Sequence, residues 1–231
     1  MVKRVKRAVE RRKPKNANLR KRIDALKERH ETALQETRHR FANCFQLLSA
    51  LILFRSRHAK SAETREHLAR LHDQVVTLAL LQKQVISAGD RAAFGFFLAE
   101  QVALWRALCA ERGVEIVVEA EDIELGADTA TPLGLIVHEL VANCLEHAFP
   151  DSTGGTIRIR LARAENGQAH LIVTDDGAGL PRDLDRTASF GLRLVERLAT
   201  QVNGIFQIES GSGTTARVCF PLRRSSGTGF S

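Results

Sequence analysis

Between Asn18 and Arg57 the chain contains neither glycine nor proline, and its apolar residues return at helical spacing. Phe41, Phe45, Leu48 and Ile52 fall at i, i+4, i+7 and i+11, which places them on one face of a single long helix. Ser61 opens a second helix, and a stripe of Leu68, Leu71, Val75, Leu78 and Leu81 or Gln82 carries it to about Ser87. Two amphipathic helices joined by a short turn form an antiparallel hairpin. One hairpin cannot cover both its stripes. Two copies paired as a four-helix bundle can, so a homodimer is expected.

Beyond a linker at Ala88-Gly89-Asp90 the pattern changes from helices alone to helices alternating with strands. A helix over about 96–111 leads through Gly113 into a strand, Val114 to Val118. Thr131 and Pro132 read as an N-cap and first-turn pair opening a helix that runs to about Phe149. Segments 156–162 and 169–174 alternate as a strand hairpin around Asn166-Gly167. A helix over about 191–202 and strands 205–209 and 215–221 complete the order. The fold class expected is α+β: a helical-hairpin dimerisation domain, a four-helix bundle as the dimer, followed by an α/β sandwich. The expected divisions are a basic arm at 1–17, the hairpin at 18–88, the sandwich at 94–222 and a disordered tail at 223–231.

Charge separates the arm from the rest. Lys3 to Arg29 holds a basic excess of roughly +10, more than the whole chain's +7, so the remainder is mildly acidic. Such an arm can attract nucleic acid or an anionic membrane surface, but no aromatic residue precedes Phe41 to stack on bases, and a solvated helix or loose tail is the plainer reading. No apolar run reaches the length of a membrane span, and the amino terminus lacks the apolar segment of a secretory signal. Cys44, Cys109, Cys144 and Cys219 have no metal-like spacing and read as buried, reduced thiols in the cytoplasm.

The chemistry concentrates in four boxes. On a helical wheel over 131–149, Leu133, Val137, Leu140 and Cys144 face the core, while Glu139, Asn143 and Glu146 share a neighbouring polar face. The amide oxygen of Asn143 suits a hard cation such as Mg2+, and Glu139 can hold a metal-bound water or act as a general base. Asp175 sits where the strand Leu171-Ile172-Val173 ends. Its carboxylate can accept a hydrogen bond from an exocyclic amine such as that of adenine, and Gly177 and Gly179 permit close backbone approach to a ligand. Gly191 precedes a helix whose free N–H groups suit phosphate, and Gly211 and Gly213 lie between the last two strands. Each box has an ordinary alternative: a solvated helix face, an Asp-Gly loop or a hairpin turn. Four in this order point to a nucleotide site whose Mg2+ and adenine contacts come from different elements. There is no Walker loop and no dinucleotide fingerprint.

His39 lies opposite the stripe of the first helix, with Glu36 and Asn43 on its side. A solvent-facing imidazole with one unprotonated nitrogen is a usable nucleophile near neutral pH.

Together these residues resemble a bacterial sensor histidine kinase core over Glu36 to Leu222: a phosphoacceptor hairpin followed by a GHKL-type ATP-binding domain. The box Glu36-Thr37-Arg38-His39-Arg40-Phe41-Ala42-Asn43 is similar to the His-Arg…Asn box of the HWE kinases and their HisKA-type relatives. No Trp-x-Glu precedes the glycine turn, so the relative fits better. The resemblance implies transfer of the ATP γ-phosphate to His39 and then to an aspartate on a response regulator receiver domain. It implies Asn143 as the Mg2+ ligand, Glu139 as its companion, and Asp175 with Gly177 and Gly179 around adenine. Gly191, Gly211, Gly213 and Thr214 complete the later glycine boxes, and 180–189 is a short lid over ATP. Asn43, one turn after His39, would orient water for dephosphorylation. Three departures stand out: Glu146 where the family often has lysine, Ala42-Asn43-Cys44 where Lys-Asn-Asn is usual, and only the basic arm ahead of the hairpin. A carboxylate facing triphosphate is repulsive, so Glu146 favours the alternative of a histidine phosphotransfer or adaptor protein with a non-catalytic ATP-binding-like domain.

Overall fold

The computed structural model describes residues 2–87, 91–109, 112–150, 154–180 and 189–222. Within these ranges the side chains of 2–21, 24, 27, 28, 30, 31, 34, 38, 39, 83–87, 91, 92, 104, 107 and 108 lie outside the description. The expected linker at 88–90, most of the expected lid and the tail after Leu222 also fall outside it.

The first helix, α1, spans Val2–Arg57, so the backbone of the basic arm continues the helix expected from Asn18. Residues 1–48 form one compact unit and 49–231 a second. Of the expected stripe along α1, Phe41 and Leu48 are exposed and Phe45 and Ile52 half-buried; Leu51 and Phe54, outside the stripe, are exposed as well. The second helix, α2, spans Ala62–Ser87. Ser61 starts it as the sequence indicates, its hydroxyl accepting the Thr64 N–H at 3.0 Å.

Among the described residues, the rest of the second unit contains a five-stranded mixed sheet, a two-stranded ribbon and three α-helices. Helix α3 (Phe94–Cys109) leads into strand β2 (Val114–Ala120), and α4 covers Ala127–Asn143. Strands β4 (Gly155–Arg163) and β5 (Gln168–Asp175) pair antiparallel about Asn166 and Gly167, both at positive φ. Helix α5 (Phe190–Gln201), β6 (Ile205–Gly211) and β7 (Gly213–Pro221) follow. The sheet order is β2-β4-β5-β7-β6, with β2 parallel to β4 and the other pairs antiparallel. A two-stranded ribbon of β1 (Arg91–Ala93) and β3 (Glu124–Gly126) is not legible as strands in so few residues.

Alternation along the strands decides which face packs. Ile157, Ile159 and Leu161 pair in register with Asp175, Val173 and Leu171, and all six are buried. Arg158 and Arg160 take the other face and are exposed. The buried face joins Leu133, Ile136, Val137 and Leu140 of α4 and Leu192 and Val195 of α5 in one core. The period of two therefore delivers Asp175, the last residue of β5, to the helix side of the sheet, where a carboxylate needs partners.

Two local expectations differ from the structure. Helix α4 starts at Ala127, one turn before the expected Thr131-Pro132 start. Pro132 lies inside the helix and is buried. The Thr131 hydroxyl is buried without a partner, so it is not a cap. Packing of the Pro132 ring in the core outweighs the loss of its backbone donor. The helix expected to reach Phe149 also changes pitch: Cys144–Ala148 form a wide π-type turn.

Candidate functional site

The wide turn is where the site begins. A π turn advances fewer degrees per residue than an α turn, so the helical wheel drawn over 131–149 holds only to Asn143. The turn's carbonyls are tied down from two sides. Arg112 Nη1 donates to the Leu145 carbonyl at 2.9 Å, and the Ala178 N–H donates to the Ala148 carbonyl at 2.9 Å. The second bond fastens the glycine turn after β5 to the end of α4. Gly177 is needed for that approach, because a Cβ there would run into the Ala148 carbonyl.

Asp175 is buried, and its two oxygens have different partners. Oδ1 accepts the Gly177 N–H at 3.0 Å and the Thr214 N–H at 3.2 Å. Oδ2 lies 3.4 Å from the Cys144 thiol. Burial pushes the Cys144 thiol well above its usual pKa, and the Asp175 carboxylate adds to the shift. The adjacent Asp176 serves the sheet instead of the cavity. Its Oδ1 accepts the Thr156 N–H at 2.7 Å and closes the sheet end.

These groups open onto a cavity of about 560 Å³ between α4, the end of β5 and the start of α5. Its polar lining includes Asn143, Glu146 and His147 from α4 and the wide turn, Asp175, Ser189, and Thr214. Leu140, Val173, Leu180, Leu192 and Ile208 supply the apolar walls. That size and mix, apolar walls with a few convergent polar groups, suit a small organic ligand.

Around Gly191 two more groups converge. A Cβ on Gly191 would stand 3.0 Å from Glu139 Oε2 and 3.6 Å from the Asn143 amide atoms, so the bare glycine makes room beside both. Gly191 lies within the first turn of α5 rather than ahead of it, and the Ser189 hydroxyl takes the Leu192 N–H at 3.4 Å. One of the free N–H groups expected there is thus already capped.

The later glycines divide by role. Gly213, at φ +125°, packs its bare Cα against the Asp175 backbone, where a Cβ would collide with the Asp175 carbonyl. Gly179, at φ +74°, lies within reach of the Ser210 hydroxyl and of the carbonyls of Gly211 and Gly213, and it lines the cavity. Gly211 has open space where a Cβ would go and does not line the cavity. Residues 181–188 of the expected lid are outside the described residues; its first residue, Leu180, donates its N–H to Ser210 Oγ at 2.9 Å.

Glu139 keeps to the face it shares with Asn143, but the ordinary alternative of a solvated helix face does not hold there. It is only 5 % exposed and lies under α2. Gln74 Nε2 donates to Glu139 Oε1 at 2.5 Å, Thr77 Oγ1 lies 3.2 Å from His138 Nδ1, and Arg70 Nη2 lies 2.6 Å from Glu146 Oε2. Gln74, Thr77 and Arg70 escape a reading of the sequence because they flank the apolar stripe of α2, and no motif there would flag them. His39 belongs to the other compact unit, on α1, and its side chain is outside the described residues. Asn43, one turn on, is exposed. The thiols are free, but they are not all buried as expected: Cys44 is exposed and Cys219 half-buried. No helix among the described residues is long and apolar enough to cross a membrane.

The arrangement is matched by two family models. One described as "Histidine kinase" covers residues 36–101, and one described as "Histidine kinase-, DNA gyrase B-, and HSP90-like ATPase" covers 128–224. The chain belongs to the histidine kinases, with a helical region followed by the ATPase fold of that group. It is 27% identical over 199 residues to Blue-light-activated histidine kinase 2 of Erythrobacter litoralis, covering 82% of this chain and 57% of that protein. It is 29% identical over 186 residues to Sensor histidine kinase PdtaS of Mycobacterium tuberculosis, covering 74% of this chain and 35% of that one. The chain thus spans about half or less of the length of these relatives. Among solved structures, the histidine kinase domain of an E. litoralis blue-light-activated histidine kinase superposes with a TM-score of 0.64 at 23% identity. That match covers 81% of this chain and 94% of the solved one, and it shows the shared fold.

Proposed function

We propose that this chain is the catalytic core of a two-component protein histidine kinase. It binds ATP with Mg2+ in the cavity beside Asp175, transfers the γ-phosphate to His39, and passes it to an aspartate of a response regulator receiver domain. The observation that carries this reading is the convergence at one cavity of Asp175 and Asn143, with Glu139 and the bare Gly191 adjoining Asn143. Asp175 and the Gly177–Gly179 turn offer a buried acceptor to an exocyclic amine, as adenine requires. Asn143 offers an amide oxygen to Mg2+, and Glu139 a carboxylate to a metal-bound water or a proton. ATP supplies the phosphoryl group, and the chain contributes positioning and charge compensation. Thr214, whose N–H holds Asp175, and Gly179 and Gly213, which let the backbones close up, support the pocket rather than the reacting atoms. Gly211 serves the hairpin turn beside them.

The exposed Phe41, Leu48, Leu51 and Phe54 support a homodimer through α1, since a single chain leaves them in water. The basic arm as a nucleic-acid or membrane binder receives no support from the fold or the relatives. A second reading, an adaptor that relays phosphate without ATP, rests on Glu146 in the cavity wall. The Arg70 guanidinium against Glu146 offsets that carboxylate and favours the kinase.

The test is incubation of the protein with γ-labelled ATP and Mg2+. An acid-labile label that is absent from His39→Ala and that chases onto a receiver domain supports the kinase. No label on the unaltered protein, with intact transfer from a phosphorylated regulator, supports the adaptor instead.

A further inference from the structure

Helix α2 meets α4 and its wide turn along one continuous stripe. Arg70, Gln74, Thr77 and Leu81 stand at i, i+4, i+7 and i+11 on α2, so they share one face. Their partners on α4 and its wide turn are Glu146, Glu139, His138 and Gly134, in descending order. The two helices therefore run antiparallel. At the far end of the stripe Leu81, fully buried, fills the notch of Gly134, where any Cβ would strike its Cδ1. This close apolar fit fixes the register, and the register then decides which polar groups of α2 reach the site.

We propose that α2 supplies two positioning residues to the nucleotide site, Gln74 for Glu139 and Arg70 for Glu146, so that the site is complete only while α2 is docked on α4. This inference rests on the kinase reading above. Glu139 is a carboxylate almost wholly withdrawn from water, and such a group needs a donor. Gln74 provides it at 2.5 Å on Oε1. With Oε1 fixed, Oε2 is turned toward Gly191 and the Asn143 amide, the place where the site has room. Arg70 acts on charge. Its Nη2 touches Glu146 at 2.6 Å and Glu66 at 3.0 Å, so the carboxylate in the cavity wall is met by a guanidinium from α2. An anionic ligand then meets a Glu146 carboxylate offset by a guanidinium, which it shares with Glu66, instead of a bare negative charge.

Two sets of variants test this. Gln74→Met keeps length, volume and helix preference but removes the donor. It is expected to lower the rate of histidine phosphorylation about tenfold or more while KM for MgATP changes by less than about threefold, as loss of a hydrogen bond to a charged group implies. Gln74→Lys, which restores a donor, should recover most of that loss. A Gln74→Met protein as active as the unaltered one overturns the positioning role, because packing alone survives that change. For Arg70 the readout is MgATP binding by calorimetry, which needs no phosphotransfer. Arg70→Gln should weaken binding about tenfold, and adding Glu146→Gln should recover most of it, a coupling expected of groups in contact. Equal losses with and without Glu146→Gln overturn the charge pairing. If the unaltered protein binds MgATP but labels no histidine, the kinase reading fails while the Arg70–Glu146 result still stands or falls on its own. If it binds no MgATP, both fail.

Discussion

The Cys144 thiol and the Asp175 carboxylate are buried against each other, with Sγ 3.4 Å from Oδ2. The other oxygen of Asp175 is occupied by two backbone N–H groups, so the carboxylate cannot turn without losing partners on both sides. The thiol is held as S–H because burial and the adjacent negative charge both oppose its ionisation. The pair therefore makes a fixed acceptor at one end of the cavity, carried by the last residue of a strand and the first residue of a π turn.

Linkage gives a consequence in alkali. Cys144 loses its proton at higher pH folded than unfolded, so the stability it contributes is complete below the ordinary thiol value of 9.0 and falls as pH rises past it. Cys144→Ala should destabilise the protein by about 1–3 kcal/mol near neutrality, through a lost donor and a small cavity. The gap between the two proteins should then narrow from about pH 9 upward in urea titrations. A gap that stays constant to about pH 10.5 would contradict the linkage.

Acid should act through a different residue. His138 on α4 is held below its usual value by burial, against the opposing pull of Glu139 and Asp73. An imidazole buried neutral must charge on unfolding, so its contribution is present above about 6.5 and is lost as pH falls below it. His138 lies in the α2–α4 contact, facing Thr77. Unfolding midpoints of the unaltered protein should drop between about pH 7 and pH 5 more steeply than those of His138→Gln, which keeps a polar partner but does not titrate. Parallel curves would remove His138 as the cause.

Much of this is legible in the residues, and the reasons for the exceptions are physical. Alternation of period two reads β4 and β5 nearly to their ends, and the Asn166-Gly167 turn sets their pairing. Asp175 and Asn143 are legible because a strand end and a helix face give side chains a direction. Periodicity gives Glu139 a polar face but not its burial, because a pattern within one helix carries no knowledge of a second helix laid over it. Gln74 supplies that partner from 65 residues away. The start of α4 is misread because Thr-Pro is a strong local signal, and burial of Pro132 in the core overrides it. The strands of the β1–β3 ribbon are three residues each, too short for any period to show.

The two glycines flanking Ser212 should answer differently to the same change. Gly213→Ala forces a Cβ into the Asp175 carbonyl at a φ of +125°, and both effects are unfavourable. A cost of about 2–4 kcal/mol is expected, together with loss of nucleotide binding, because the Asp175 backbone must move. Gly211→Ala meets open space and no left-handed φ, and it should lie within about 0.5 kcal/mol of the unaltered protein. Thermal unfolding of the two variants side by side decides this. Equal losses would mean that the hairpin, and not the contact with Asp175, sets the requirement for glycine.

Asp175→Asn tests what the cavity reads. The Asn oxygen would stay with the Gly177 and Thr214 N–H groups, which need an acceptor, and this sends the amide nitrogen toward Cys144 and the cavity. A donor then stands where the carboxylate accepted. An exocyclic amine at purine position 6 meets donor against donor, while a carbonyl there finds a partner. ATP affinity should fall about 10–100-fold, and inosine triphosphate should lose far less or gain, so the preference between them shifts by at least about tenfold. Asn143→Ala provides the contrast: it should weaken both nucleotides together and remove most of the dependence on Mg2+, because the amide oxygen addresses the metal and not the base. Binding titrations of both nucleotides, with and without Mg2+, separate the two residues. An unchanged preference in Asp175→Asn would place the base elsewhere in the cavity.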